Sequence, residues 1–163
     1  YSPVAVVLQQ FEKDLFEHPP SGFGALLTRD SQKSGLLGIL FSSHLFPDRY
    51  SPSSVCTRSI LGGSIAPEIV DNSDKQIVEL ALEQHRILFN SPKLTPSFVK
   101  VLKWTQAIPQ YNKGHLDIQD QILDFHSKHP HIRLSGNHLF GVAIKDCIRI
   151  SKEHSNHFKL LNQ

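Results

Sequence analysis

The sequence predicts an α+β fold in which a β-sheet of mixed strand direction is combined with a few helices. Two observations lead to this prediction. The first half contains short runs of branched and aromatic residues separated by turns with Pro and Gly, and the second half alternates between helical and extended patterns. Of the 163 residues, 39% are hydrophobic, which suffices for a real core. No clean series of parallel βαβ units can be traced.

Strands are predicted over residues 4–11, 25–28, 36–42 and 54–61. Residues 17–24 and 47–52 are rich in Pro and Gly and predict turns, while the polar segment 29–35 predicts a hairpin connection. The strand at 54–61 alternates clearly, with Val55, Thr57, Ser59 and Leu61 on one face and Cys56, Arg58 and Ile60 on the other. The double glycine at 62–63 then ends it.

The clearest helix is predicted over residues 73–89. Ser73 and Gln76 have the spacing of a capping box, and Asp74 lies in the first turn, where the helix dipole favours an anion. Pro92 follows the expected end of this helix. Further on, a strand is predicted at 99–105, a helix at 114–126, a short strand at 132–135 and a last helix from about 145 to about 153.

Composition excludes several classes of protein. The formal net charge is only +2, so no nucleic-acid partner is predicted. No apolar run approaches about 20 residues, so no membrane-spanning helix is expected. No charged-then-apolar leader opens the sequence, so no signal peptide is expected. The sequence lacks methionine and begins with Tyr1, so we expect it to be part of a longer chain.

Cysteine and histidine give weak signals. The distant Cys56 and Cys147 are expected to be small, buried, reduced thiols in a cytosolic protein. The ten histidines show no metal-binding spacing on a helical face. His126, His129 and His131 surround Pro130, which predicts a solvated loop, with adventitious metal binding as the alternative.

Three segments are more distinctive. Residues 57–69 (TRSILGGSIAPEI) combine a strand, a double glycine and Pro-Glu; residues 104–115 (WTQAIPQYNKGH) offer flat aromatic surface; residues 134–148 (LSGNHLFGVAIKDCI) join a strand to a helix through glycines. The free N–H groups of that helix's first turn would favour an anion or an electron-rich oxygen. Taken singly, each segment is better explained by an ordinary turn or by core packing.

Together, and in this order, the three segments resemble the C-terminal half of the protoporphyrinogen oxidase family. The family pattern is approximately LGG…PE, then IPQY…GH, then LxGNxxxGVxxxDCI. The matching residues are Leu61, Gly62, Gly63, Pro67, Glu68, Ile108, Pro109, Gln110, Tyr111, Gly114, His115, Leu134, Gly136, Asn137, Gly141, Val142, Asp146, Cys147 and Ile148. The resemblance extends to about Glu153. Ala143 and Lys145 depart from the common pattern, and neither change removes a group that the chemistry needs.

The resemblance implies a flavin-dependent oxidase of heme biosynthesis that binds FAD, acts on a porphyrinogen and passes electrons to oxygen or another acceptor. It implies that the loop residues Gly136, Asn137, Gly141, Val142, Ala143 and Ile144 lie beside the isoalloxazine ring, with Trp104 nearby. The backbone N–H groups of Val142, Ala143 and Ile144 would face the flavin N1–O2 edge. No catalytic base and no metal ligand is assigned.

The resemblance also implies a division of the chain. Residues 1–105 would be mostly strands of a substrate-binding domain, with apolar walls for a flat tetrapyrrole. Residues 106–163 would be the C-terminal part of an FAD-binding domain, whose N-terminal Rossmann half is absent from this sequence. A cytoplasmic location is expected, and peripheral association with a membrane and the oligomeric state stay open.

Alternatives remain at this stage. Another amine-oxidase-like flavoenzyme would usually show GTE and an aromatic pair where this chain has Gly136-Asn137-His138. The chain alone could be a non-catalytic fragment that lacks the cofactor-binding half. The substrate could be protoporphyrinogen IX or coproporphyrinogen III.

Overall fold

The computed structural model describes residues 1–28 and 35–161. The chain forms two compact units. The first unit is Ser2–Ala107, and the second unit comprises Tyr1 together with Ile108–Gln163. Most of the predicted hairpin connection at 29–35 lies outside the described residues.

The first unit contains a five-stranded sheet in the order β2-β3-β4-β1-β5. Its strands are β1 (Ser2–Glu12), β2 (Gly24–Leu26), β3 (Leu36–Leu40), β4 (Ser54–Gly62) and β5 (Phe98–Ile108), whose last residue belongs to the second unit. The α+β class is confirmed. However, the pairings β1–β4, β2–β3 and β3–β4 are all antiparallel, so the mixed strand direction that we expected is not found among them.

One face of the sheet is covered by helix α2 (Asp74–Leu88). Residues that pair directly across antiparallel strands share a face, and the pairs Ala5–Leu61 and Val7–Ser59 lie on this one. Ala5, Val7, Leu61 and Ile77 of α2 are fully buried in one cluster. The alternation predicted for the strand at 54–61 therefore sets the core face.

The opposite face of the sheet, which we call the open face, carries the alternate residues. Val99 and Val101 pack against the core cluster, so their neighbours on β5 lie on the open face. Its half-buried or exposed members include Val6, Leu8, Leu40, Arg58, Ile60, Phe98, Lys100, Leu102 and Trp104, together with Gln10 and Glu12 of β1. It is mainly apolar.

Helix α2 begins as its sequence predicts. Ser73 Oγ accepts the Gln76 N–H (3.4 Å), and the Gln76 side chain accepts the Ser73 N–H (3.0 Å), which completes the capping box. The helix ends at Leu88, with Phe89 as its C-cap. Upstream of α2, the predicted turn at 47–52 contains a 3₁₀ turn, Pro47–Arg49. This turn is preceded by the short helix α1 (Ser42–Leu45), which the sequence analysis did not predict.

The second unit is helical, with α3 (His115–Lys128) and α4 (Ile144–Leu161). Gly114 occupies the N-cap of α3 in a left-handed conformation (φ 91°). The short strand predicted at 132–135 is wrong: this segment forms no ladder, because the Leu134 N–H donates to His126 Nε2 (2.8 Å) instead of to a neighbouring strand. The last helix is eight residues longer than about 153, its predicted end.

Both cysteines are free thiols, but only one matches the expected burial. Cys56 is buried in β4, and burial raises the pKa of its thiol. Cys147 in α4 is only partly buried, so the expectation of two buried thiols is wrong for it. Among the described residues, no helix is long and apolar enough to cross a membrane.

Candidate functional site

The loop between α3 and α4 is held by the hydroxyl group of Tyr111. This hydroxyl donates to the Asn137 carbonyl oxygen (2.7 Å) and accepts the N–H of Gly141 (2.7 Å). A single side chain thus connects the two ends of the segment 137–141. Inside it, the Leu139 N–H donates to the Gly136 carbonyl, which closes a turn.

A second set of contacts fixes the middle of the same loop. The Leu139 carbonyl accepts hydrogen bonds from His115 Nε2 (2.9 Å) and Gln119 Nε2 (2.5 Å). The imidazole of His115 stacks on the Tyr111 ring, with centroids 3.9 Å apart and an angle of 13° between the planes. The Leu139 side chain is buried. The sequence segments 104–115 and 134–148 therefore meet in one structure, through Tyr111 and His115.

Two glycines shape the backbone of this loop. Gly136 (φ 155°) and Gly141 (φ 153°) have positive φ values that side-chain-bearing residues rarely adopt. A Cβ on Gly136 would lie 2.6 Å from the His138 ring, and a Cβ on Gly141 would overlap the Cβ of Asp146. Both positions therefore require glycine for this path of the chain.

The N-terminus of α4 presents unused hydrogen-bond donors. Within the described residues, the backbone N–H groups of Val142, Ala143 and Ile144 have no recorded acceptor, whereas the Asp146 and Cys147 N–H groups donate to the Ala143 carbonyl. Val142, Ala143 and Ile144 are all exposed, and the Ile144 side chain is 79% exposed. Successive free N–H groups at a helix N-terminus form a site that favours negative charge.

Two histidines elsewhere in the second unit have pKa values below the ordinary value of 6.5. Burial, followed by the neighbouring Arg133, lowers the pKa of both His126 and His154. The solvated loop expected around Pro130 is therefore wrong for His126, which is buried in α3. Within the described parts of the chain, no cluster of three or more His, Cys, Asp or Glu residues could hold a metal ion.

The structure brings six of the seven predicted cofactor-binding residues into one segment. Gly136, Asn137 and Gly141 shape the loop, and Val142, Ala143 and Ile144 supply the free N–H groups. Trp104 lies in the first unit, on the open face, and is 46% exposed, so it does not simply fill the core.

Comparison with known proteins identifies the family. A family model described as flavin containing amine oxidoreductase matches residues 1–155, nearly the whole chain.

The chain belongs to the flavin-containing amine oxidoreductase family. Among curated members, it is 35% identical to protoporphyrinogen oxidase 1 of Spinacia oleracea (chloroplastic), with 91% of this chain and 28% of that protein covered. It is 25% identical to coproporphyrinogen III oxidase of Bacillus subtilis, with 89% of this chain and 31% of that protein covered. The chain therefore spans about three tenths of the length of these family members.

Solved structures support the fold of this family. A protein from Exiguobacterium sp. 255-15, described provisionally as a protoporphyrinogen oxidase, superposes with a TM-score of 0.71 at 20% identity and covers 99% of this chain and 35% of its own. Reduced UDP-galactopyranose mutase superposes with a TM-score of 0.62 at 11% identity, over 84% of this chain and 28% of its own. Both similarities show the fold alone.

The residues present fit the flavin that the family carries. The free N–H groups at the start of α4 suit the electron-rich edge of a flavin ring, and the side-chain-free glycines allow close approach of a ligand. Sequence reasoning missed the role of Gln119, which follows His115 by one helical turn and reaches the same carbonyl. It also left Arg58 without a role. The available signal was a lone charge in an apolar alternating strand.

Proposed function

We propose that the full-length protein is an FAD-dependent oxidase that converts a porphyrinogen, either protoporphyrinogen IX or coproporphyrinogen III, to the porphyrin. The proposal is supported by the identity of 35% with the spinach protoporphyrinogen oxidase and by the N–H groups that the α4 terminus leaves unpaired. The unpaired N–H groups carry the proposal, because they are a property of this chain itself.

In this proposal, the segment 142–144 stabilises charge on the cofactor. When bound, FAD supplies the redox chemistry by accepting hydride from the substrate. The N–H groups of Val142, Ala143 and Ile144 would face the N1–O2 edge, where negative charge increases on reduction, and the helix dipole would add to their effect. Tyr111, His115 and Gln119 would keep these donors in place, so little reorganisation would be needed during turnover.

The open face would form a wall of the substrate pocket. Val6, Leu8, Ile60 and Leu102 offer aliphatic surface, and Trp104 adds an exposed ring. Such a surface would bind a flat, apolar macrocycle and exclude water from the reacting carbon atoms.

The remaining assignments are also proposals. Residues 1–105 would belong to a substrate-binding domain and residues 106–163 to an FAD-binding domain. Oxygen or another acceptor would take the electrons. We also propose that the protein is cytoplasmic, with peripheral contact with a membrane as an alternative.

The decisive experiment compares the full-length protein with this 163-residue chain. The full-length protein should be yellow, with flavin absorbance at about 450 nm, and should produce porphyrin fluorescence from a porphyrinogen faster than autoxidation does. This chain alone should not turn over. A full-length protein that contains flavin but leaves both porphyrinogens unoxidised would overturn the proposed activity, and a colourless one would overturn the cofactor as well.

A further inference from the structure

Arg58 has an unusual position in the first unit. It lies on β4, which is flanked by β3 and β1, and therefore near the middle of the sheet. Its cross-strand partners are Leu8 on β1 and Leu40 on β3. Along β4, the next residues on the same face are Cys56 and Ile60. A charged side chain is thus surrounded by uncharged ones.

The guanidinium group of Arg58 has no carboxylate partner within the described residues. Arg58 is exposed and occurs in none of the recorded ion pairs, whereas Arg86 pairs with Glu79. By parity, one acidic side chain of β1, Glu12, shares the open face, but it lies at the strand end opposite Ser54, four residues beyond Leu8. The methylene groups of Arg58 can cover the neighbouring apolar surface while the guanidinium stays available.

A second cation lies on the same face. Lys100 is exposed on β5, and β4 and β5 flank β1 on either side. Adjacent strands are about 4.8 Å apart, so the two cations lie on strands separated by about 10 Å. A small recess of about 150 Å³ adjoins Arg58 and is lined in part by Leu8, Tyr50 and Phe98. As far as the described residues show, the open face therefore combines apolar and aromatic surface with two cations, Arg58 and Lys100, that have no recorded ion-pair partner.

This combination selects the chemistry of the ligand. A planar apolar body would pack on the aliphatic and aromatic residues, and carboxylates at its periphery would meet the cations. Arginine is suited to a carboxylate because its planar fork donates two parallel hydrogen bonds. A neutral apolar ligand would leave the guanidinium unpaired and partly desolvated, which is unfavourable.

We infer that Arg58 binds a propionate carboxylate of the porphyrinogen substrate and makes the enzyme prefer the free acid over the corresponding ester. The inference rests on the proposed function and deepens it. It assigns recognition of the acid groups to a residue of this chain, and it makes Arg58 a residue of substrate specificity with no role in the redox step.

The test uses the full-length flavin-loaded protein and two substrates, protoporphyrinogen IX and its dimethyl ester. In Arg58→Gln, kcat/KM for the free acid should fall about 10-fold or more, mainly through KM, because a charge-assisted hydrogen bond is lost. For the ester, kcat/KM should change less than about 2-fold, since the ester offers no charge to Arg58. Arg58→Lys should lie between wild type and Arg58→Gln for the acid.

Controls separate recognition from folding. Lys93→Gln removes an exposed charge in the loop between α2 and β5. It should leave the ratio of kcat/KM for the free acid to kcat/KM for the ester unchanged. Flavin absorbance reports folding of each variant. If Arg58→Gln does not fold, Arg58→Lys alone must lower the ratio of kcat/KM for the free acid to kcat/KM for the ester. Binding of the stable product protoporphyrin IX and of its dimethyl ester, followed by fluorescence, gives an independent readout.

The outcomes distinguish the two proposals. Wild-type turnover of both substrates with the same ratio of acid to ester in Arg58→Gln would overturn the role of Arg58 and leave the oxidase activity standing. Equal losses on acid and ester would assign Arg58 a structural role and would also overturn the inference. Absence of wild-type turnover on protoporphyrinogen IX, on its dimethyl ester and on coproporphyrinogen III would overturn both proposals.

Discussion

Acidification should destabilise this chain through His85. The side chain is fully buried on α2, where Nε2 bonds to Thr57 Oγ1 (2.8 Å) and Nδ1 to the Ala81 carbonyl (2.8 Å). Its ring also lies 5.5 Å from that of Phe11. Burial lowers the pKa of His85 from its ordinary value of 6.5 to about 4, against a smaller opposing effect of the Ala81 carbonyl.

The sign and size of the effect follow from this pKa. Between pH 6.5 and about 4, the unfolded chain binds a proton at His85 that the folded chain does not, so the free energy of unfolding falls as the pH falls. One pKa unit corresponds to about 1.4 kcal/mol, so the full loss is about 3 kcal/mol, of which about 2 kcal/mol is reached by pH 5. Above pH 7 the contribution is constant.

The assay is denaturant unfolding of wild type and His85→Gln from pH 7.5 to 5. Glutamine cannot titrate, so the difference in unfolding free energy between the two proteins should shrink by about 2 kcal/mol toward pH 5. His18→Gln, which alters a highly exposed histidine, should run parallel to wild type. Parallel curves for wild type and His85→Gln, or a His85 ring that titrates near its ordinary pKa by NMR, would refute the reasoning.

Four further predictions concern the loop and the core. Ile144→Pro removes one backbone N–H group at the first position of α4, where helices accept proline. In the full-length protein this change should lower the reduction potential of the flavin by about 30–60 mV, measured by dye equilibration. Ile144→Ala keeps the N–H group and should leave the potential unchanged. Tyr111→Phe loses two hydrogen bonds and should weaken FAD binding about 10-fold by fluorescence titration; unchanged affinity would count against the proposed role of the loop. Gly141→Ala should lose FAD more severely than Tyr111→Phe, because it forces the loop away from Asp146. Gln9→Leu should raise the unfolding free energy of this chain by about 1–3 kcal/mol, because the buried Nε2 and Oε1 atoms of Gln9 lack a hydrogen-bond partner. A lower unfolding free energy in denaturant titration would contradict this.

Local patterns predicted the elements that local interactions stabilise. The capping box at Ser73 and Gln76 is formed as the spacing indicated, because both partners lie within one helical turn. The alternation in β4 gave the correct division of its side chains between two faces, since side chains of a strand alternate with a period of two. The glycines at 136 and 141 and the helix that follows them were also predicted from neighbouring residues, whereas the proposed contact of this loop with a flavin came from the family resemblance.

The segment 132–135 shows where this reasoning failed. Its composition suits a strand, but a strand needs a partner, and the Leu134 N–H instead finds the imidazole of His126. The extent of α4 was also underestimated, since the helix continues beyond Glu153 to Leu161.

By itself the sequence determined the α+β class, the start of α2 and the division of the β4 side chains between two faces, and it supplied the loop-and-helix segment 136–144 that we propose for the flavin edge. Tertiary structure alone decided that Tyr111, His115 and Gln119 hold that segment, and that Arg58 lies between Leu8 and Leu40 of the neighbouring strands. The physical reason is the distance along the chain. Capping and alternation act between neighbours, whereas these contacts join residues 18–50 positions apart, whose meeting depends on the path of the whole backbone.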